Sequence, residues 1–495
     1  MSWLRRHPAL SVFIMMLAVV VAGMWLLPVK PVLLWTDALV YLLIITLVSF
    51  FTYVRSREHL LSPWRQVVRR PLAAMAMVVL AAYVSVGLLD SIHFRKALPL
   101  QDGATQVDYS VEVLSLLDVL AGPLRKQLEK TYSAPLAAHL FTKELVEQAD
   151  GSIIRGYPRL EYGGRHLRDP AAQRTADILQ RAALALGQGL LLWLVLSSLW
   201  LAWLARRHHC SFPDFTRQMI VGQTQIPWRV ILATLGVLVL LLMIILQLGV
   251  AYHLLGTDKV GNDVLYLSIK SIRTGLVIGT LTTLIMLPFA VLLGIMAGHF
   301  RGWVDDVIQY IYTTLNSIPG VLLIAAAILS VDLFISNNQA LFETVVERAD
   351  IRLLFLCIIL GITSWTGLCR LLRGETLKLR ELDYIQAATA FGVSNAKIIS
   401  RHILPNVMHI VLISVVLDFS GLVLAEAVLS YVGVGVDPSM ASWGNMINSA
   451  RLEMAREPVV WWSLVAAFWF MFILVLAANV FSDAVRDAFD PRVSG

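Results

Sequence analysis

Two carboxylates, Asp418 and Glu426, stand inside the apolar run 407–433. A charge at such depth in a bilayer costs about 2.5–3.5 kcal/mol on insertion scales and usually faces a cavity or a partner. Both could line a path and attract a cationic group such as an ammonium. Both could instead pair with a neighbouring helix or cap one. Glu426 reads first as structural or gating, Asp418 first as path-lining. Asn316 and Pro319, in the run 305–329, add a polar side chain and a kink that frees a backbone carbonyl, which serves gating or packing equally. His7, His208, His209 and His299 sit at the margins of apolar runs and read as interfacial, so no metal site is expected. Of the three cysteines, Cys357 and Cys369 lie twelve residues apart on one helical run, about 18 Å, too far for a disulfide. No GxxxxGK[ST] phosphate loop occurs, so ATP chemistry by that device would have to come from another chain.

These residues need a membrane around them. The chain has 495 residues, 58% hydrophobic and only 15% charged, whereas soluble domains run at about 45–50% apolar and about 25% charged. Runs of the roughly 20 apolar residues that cross a bilayer lie near 8–27, 32–53, 71–90, 178–205, 229–250, 274–298, 305–329, 351–372, 407–433 and 459–481. The expectation is an all-α polytopic membrane protein of about ten transmembrane helices. The first run has no small-residue cleavage site after it and reads as an uncleaved span. The net charge of +6 does not signal nucleic acid, because the arginines stand in short loops: Arg5 and Arg6, Arg55 to Arg70, Arg206 to Arg217, and Arg373 to Arg401. All fall on one side if the spans alternate. That side is the cytoplasm, with acidic membrane lipid as neighbour and both termini inside.

The organisation that follows is three N-terminal spans in 1–90, an outside domain at 91–177, a fourth span with a basic cytoplasmic loop at 178–228, and a six-span core at 229–492. In the outside domain, Leu114, Leu117, Leu120, Leu124 and Leu128 recur at helical spacing and predict one amphipathic helix. Asp169-Pro170 predicts an N-cap, then proline at the first position of a long helix entering the fourth span.

The loop 374–406 carries the most specific pattern. A first short helix is expected near 384–391, with Asp383 as N-cap and Gln386 closing a capping box. Gly392 ends it, Ser394 caps a second helix to about His402, and Pro405 ends the loop. A helix–turn–helix presented at the membrane surface suits a groove on a partner.

The run Gln386-Ala387-Ala388, then Gly392, then Leu404-Pro405 resembles the "EAA" loop of the permease subunits of ATP-binding-cassette (ABC) importers. The likeness extends over 229–492 and points to the dipeptide, oligopeptide and nickel class, second-permease type. "LLGTDKVGNDVLYLSIKSIRTGL" (254–276), "GHFRGWVDDVI" (298–308), "LAEAVLSYVGVG" (424–435), "SWGNMI" (442–447) and "RDAFDPR" (486–492) each resemble segments of that class. Gln386 stands where the usual motif has Glu, and Asn262 where Arg is usual; each substitution removes a charged contact.

The resemblance implies a type I importer core in the last six spans, in the bacterial inner membrane. It implies a coupling loop formed by Asp383, Gln386, Ala387, Ala388, Gly392, His402, Leu404 and Pro405, with a second cytoplasmic contact at Arg301, Gly302 and Asp305. It implies as partners two ABC ATPases carrying ATP and Mg²⁺, a second homologous permease and an outside solute-binding protein. The expected role is a permease for di- or oligopeptides that breaks no covalent bond itself. A nickel or other small-solute importer working in the same way remains open, and so does a secondary transporter, although no inverted repeat is evident.

Overall fold

The computed structural model describes residues 29–55, 58–99, 108–147 and 153–489. The first expected span, His7 and the last residues of the 486–492 motif lie outside these. Among the described residues, nine helices are long and apolar enough to cross a membrane.

Strand β1 (Val29–Val32) precedes helices α1 (Trp35–Arg55), α2 (Glu58–Arg69) and α3 (Pro71–Asp90). Strands β2 (His93–Lys96) and β3 (Leu114–Ser115), helices α4 (Leu116–Leu120) and α5 (Gly122–Lys126), and the hairpin β4 (Glu144–Glu147) and β5 (Ile153–Gly156) follow. The sheet β1-β2-β3 is antiparallel, with Val32 opposite His93 and Phe94 opposite Leu114. The segment after α3 is thus tied by backbone pairing to the strand that precedes α1. The expected single amphipathic helix is absent. Leu114 lies in β3, and the Gly122-Pro123 pair splits the remainder into two five-residue helices, since proline cannot continue the α4 ladder. Leu117 and Leu124 are buried, while Leu120 and Leu128 are exposed.

The 38-residue α6 (Pro170–Arg207) begins as expected. The Asp169 carboxylate accepts from the Ala171 and Ala172 N–H groups, and Pro170 occupies the first turn. Helix α7 (Phe212–Val221) leads to α8 (Trp228–Leu248), which packs against α6 and α3.

The core is organised around α9 (Val264–Phe300), 37 residues long and so about 55 Å end to end. It packs against α3, α12 (Val345–Ser364), α13 (Thr366–Arg380) and α16 (Leu404–Val432). Glycine permits the closest of these approaches. A Cβ on Gly294 would lie 2.8 Å from the Cys369 carbonyl oxygen, and one on Gly298 2.8 Å from that of Arg373, the small-residue packing membrane helices favour.

The expected span 305–329 is not one helix. Helix α10 (Trp303–Ser317) is amphipathic, Ile318 is extended (φ −90°, ψ 130°), and the spanning helix is α11 (Gly320–Asn337), capped by Pro319. Pro319 pushes Ile318 out of the helical region and so separates the two. Helices α14 (Asp383–Ala390) and α15 (Asn395–Ile398), then a π turn at Ile399–Ile403, join α13 to α16. After α16 come α17 (Trp443–Glu453) and α18 (Trp462–Phe489).

Candidate coupling platform and intramembrane carboxylates

At the Phe300 end of α9, two segments far apart in sequence meet. Arg301 and Gly302 both have positive φ (55° and 57°) and turn the chain sharply into α10. This places Asp305 in the first turn of α10, where its two oxygens accept from Arg373 Nε and Nη2 of α13 at 2.6 and 2.7 Å. The hydrogen bond and charge of Arg373 hold the Asp305 carboxyl below the usual carboxylate range, against burial. Arg301 reaches Glu381 at 2.5 Å, Arg380 donates to the His299 carbonyl at 2.8 Å, and His299 Nε2 lies 3.2 Å from Asn395 Oδ1. The bidentate Arg373–Asp305 fork fixes orientation as well as distance.

The segment itself is an apolar wedge with a polar top. Ile385, Ile398 and Ile403 are fully buried in a cluster with Ile295, Ile308, Leu368 and Leu372. Ala388 and Leu404 are half-buried against it, whereas Gln386, Ala387 and Pro405 are exposed. Gly392, at φ +74°, donates to the Thr389 carbonyl, and Val393 N–H donates to Ala388. These are the two bonds of a Schellman stop, which needs the left-handed residue glycine supplies. Phe391 beside it is 88% exposed. Asn406 Nδ2 donates to the Tyr384 hydroxyl and to the His402 carbonyl, tying α14 to the start of α16.

The expected capping box is absent. Asp383 is the first residue of α14 rather than its cap, Leu382 occupies the cap position, and no side chain bonds there. Gln386 Nε2 instead donates to the Glu381 carbonyl at 3.2 Å. Only Glu381 and Leu382 separate α13 from α14, so Asp383 is already helical and cannot reach back to the Gln386 amide. Ser394 does occupy the cap position of α15, without a side-chain bond.

The polar residues expected within spans lie apart from this platform and from one another. Asn316 Oδ1, at the end of α10, accepts from the Thr366 hydroxyl at 3.0 Å, and Pro319 begins α11. Glu426 is buried in α16, accepts from Ser430 Oγ at 2.7 Å, and faces Gly444 at the start of α17. Asp418 is half-buried on α16, two turns nearer the platform, and has no hydrogen bond or ion pair among the described residues. Likewise, no His/Cys/Asp/Glu group among the described residues is suited to hold a metal ion.

The other end of α9 holds a charge network that sequence reading missed. Arg273 Nη2 lies 2.6 Å from Asp37 of α1 and 3.5 Å from Asp350 of α12; Thr36 hydrogen-bonds Asp350, and His93 Nδ1 lies 2.8 Å from Asp37. Lys270 meets Asp118 at 2.5 Å, and burial, which would raise that carboxyl, is outweighed by the lysine charge and by hydrogen bonds. Between α8 and α9, His253 lies between Asp263 (2.8 Å) and Glu129 (3.3 Å). Burial opposes charging of His253, but the two carboxylates outweigh it and push the imidazole up to about 9. Glu129 also accepts from the Glu161, Tyr162 and Gly163 N–H groups; these bonds and His253 hold it below its ordinary value despite burial. Asn262, where the importer pattern has Arg, bonds Asp258 and shapes the turn. The only sequence signal for the network was Lys270 and Arg273 at the margin of an apolar run, opposite the side rich in arginine.

Comparison with known proteins finds relatives for about half of the chain. Residues 290–495 match the family described as binding-protein-dependent transport system inner membrane component. The oligopeptide transport system permease protein OppC of Haemophilus influenzae is 32% identical over 241 residues, 49% of this chain and 71% of that protein. The glutathione transport system permease protein GsiD of Pectobacterium atrosepticum is 30% identical over 49% of this chain and 73% of that protein. The dipeptide transport system permease protein DppC of Bacillus subtilis is 28% identical over 49% and 70%. A solved structure described as inward facing conformations of the MetNI methionine ABC transporter overlaps 44% of this chain and 93% of the compared chain at TM-score 0.32 and 18% identity, too slight a likeness to carry an argument. With nine candidate spans and relatives matched over more than two thirds of their length, this chain belongs to the family of inner-membrane permeases of binding-protein-dependent ABC importers.

Proposed function

We propose that this permease imports short peptides and that 298–308 and 374–406 together form the platform on which a separate ATPase acts. The observation that carries this reading is the platform's construction. Its underside is locked into the pore helices by Ile385, Ile398 and Ile403, and its flank by the Arg373–Asp305 fork. Its top offers Gln386, Ala387 and an exposed Phe391 to a partner groove. A push on such a wedge moves α13 and α16 rather than bending a loop.

In this reading Asp383, Gln386, Ala387, Ala388, Gly392, His402, Leu404 and Pro405 form the coupling segment, and Arg301, Gly302 and Asp305 the second contact. Two ATPases carry the ATP and Mg²⁺, a second homologous permease completes the pore, and an outside solute-binding protein delivers substrate. Both termini are cytoplasmic. The chain itself breaks no covalent bond. Peptide is favoured because the similar permeases are named for oligopeptide, dipeptide and glutathione transport, and because Asp418 offers a carboxylate to a peptide ammonium. Asn316 and Pro319 stand at the α10–α11 joint, and Glu426 stands inside α16 against the start of α17, positions suited to gating.

Gly392→Pro tests the platform. Proline holds φ near −65° and has no N–H, so it conflicts with φ +74° and removes the bond to Thr389. Uptake of a labelled tripeptide should be lost while the variant stays in the membrane and the bound ATPases still hydrolyse ATP. Normal uptake by this variant would overturn the reading.

A further inference from the structure

A groove of about 510 Å³ opens where α6 enters and α8 leaves the apolar layer, at the end of the molecule remote from the platform. Its lining includes Gln127, Tyr162, Arg165, His166, Arg181 and Val250. Three of these residues are basic and none is acidic.

The basic charge is held in place. Asp177 Oδ2 lies 2.8 Å from His166 Nε2, accepts from Arg181 Nε at 2.9 Å, and accepts from the buried Tyr252 hydroxyl at 2.8 Å. This bracket uses only the Nε of Arg181 and leaves its terminal nitrogens free to bond elsewhere. Gln127 donates to the Val250 carbonyl and closes the floor. Arg165 is exposed and has no side-chain hydrogen bond or ion pair among the described residues.

Its position argues for a particular occupant. Basic residues near span ends belong on the cytoplasmic side by the usual bias, yet residues 159–181 carry five arginines against three acids. Arg159 is accounted for by the Gly164, Arg165 and Leu167 carbonyls; Arg165 has no such internal reason to be there. On the same two helices, Leu184, Leu186 and Leu246 stand exposed one to two turns further into the apolar layer. A basic notch above an open aliphatic surface matches one molecule, a phospholipid, with its phosphate in the notch and its chains along the α6–α8 pair. Guanidinium groups suit phosphate oxygens through paired N–H donors.

We propose that this groove is a specific site for a phospholipid with a net negative headgroup in the outer leaflet, held by Arg165, Arg181 and His166. The full-length protein would be placed in nanodiscs of phosphatidylcholine containing a minor share of phosphatidylglycerol, and the lipid carried into the gas phase counted by native mass spectrometry. One phosphatidylglycerol per chain should be retained. Arg165→Gln and Arg181→Gln should each weaken retention about fivefold, the worth of one surface arginine against an anionic lipid. Lys143→Gln, a charge that does not line the groove, should leave it unchanged. Arg165 has no side-chain partner to lose among the described residues, so its variant keeps the test valid if Arg181→Gln is unstable. Millimolar inorganic phosphate should not displace the lipid. Equal retention of phosphatidylcholine, displacement by phosphate alone, or an unaltered Arg165→Gln variant would each overturn the proposal.

Discussion

His253 gives this permease a pH dependence whose sign and size can be worked out. The imidazole is fully buried between Asp263 and Glu129 and is held at about 9 against an ordinary 6.5. A histidine whose folded value lies above its unfolded one contributes stability that is complete below about 6.5 and is lost as pH rises through about 9. The difference corresponds to about 3 kcal/mol, at about 1.4 kcal/mol per tenfold change in proton affinity. Glu129 is depressed, so its contribution runs the other way, present at neutral pH and lost only in acid. Between pH 6.5 and 9.5 the histidine therefore dominates this site. The assay is thermal unfolding of the purified protein in detergent, followed by intrinsic tryptophan fluorescence at half-unit pH steps. The wild-type midpoint should fall steadily across the window, and His253→Gln should start lower and fall much less. Glu129→Gln should be destabilised by about 3 kcal/mol at neutral pH, since it strips one partner from a buried charge. Identical pH slopes for wild type and His253→Gln would refute the reasoning.

Two further outcomes concern transport. Arg373→Gln removes the fork on Asp305 and should cut uptake at least tenfold while ATP hydrolysis by the bound ATPase persists; Arg373→Lys, which keeps the charge but not the paired geometry, should recover only part of it, and full activity of both variants would count against the fork as a link. Asp418→Asn should raise the KM for peptides with a free amino terminus several-fold and leave N-acetylated peptides unaffected; a uniform loss for both substrates would mark Asp418 as structural.

Local chemistry was legible in the sequence where one residue decides the backbone. Asp169-Pro170 begins α6 as its types dictate, and Gly392 ends α14 in the left-handed turn only glycine adopts cheaply. Hydropathy located most of the spans, yet it read 305–329 as continuous. Averaging over a window hides the single backbone inversion that Pro319 imposes at Ile318. The leucines from 114 to 128 kept helical spacing, but Gly122-Pro123 broke the ladder between them. Asp383 had the right type and spacing for a cap; its role depended on where α13 stopped, a tertiary matter. The Arg273–Asp37–Asp350 network was invisible for a different reason. Its members are separated by up to 313 positions (350 − 37), and nothing local to Asp37 or Asp350 announces a partner on α9.

Helix α9 has one end among the partners of Lys270 and Arg273 and the other among those of His299 and Arg301. Between these ends stands Pro288, which has no N–H for the helical ladder and gives the helix a point at which it can bend. Around Lys270 and Arg273, Asp37, Asp90 and Asp118 tie the N-terminal part of the chain to this helix, while Asp350 comes from α12 of the core itself. Any movement of this end of α9 relative to α1 or to the segment around Asp118 would have to break those ion pairs. The two halves of the chain are therefore joined by buried charge at one end of this helix, while its other end is joined to α13.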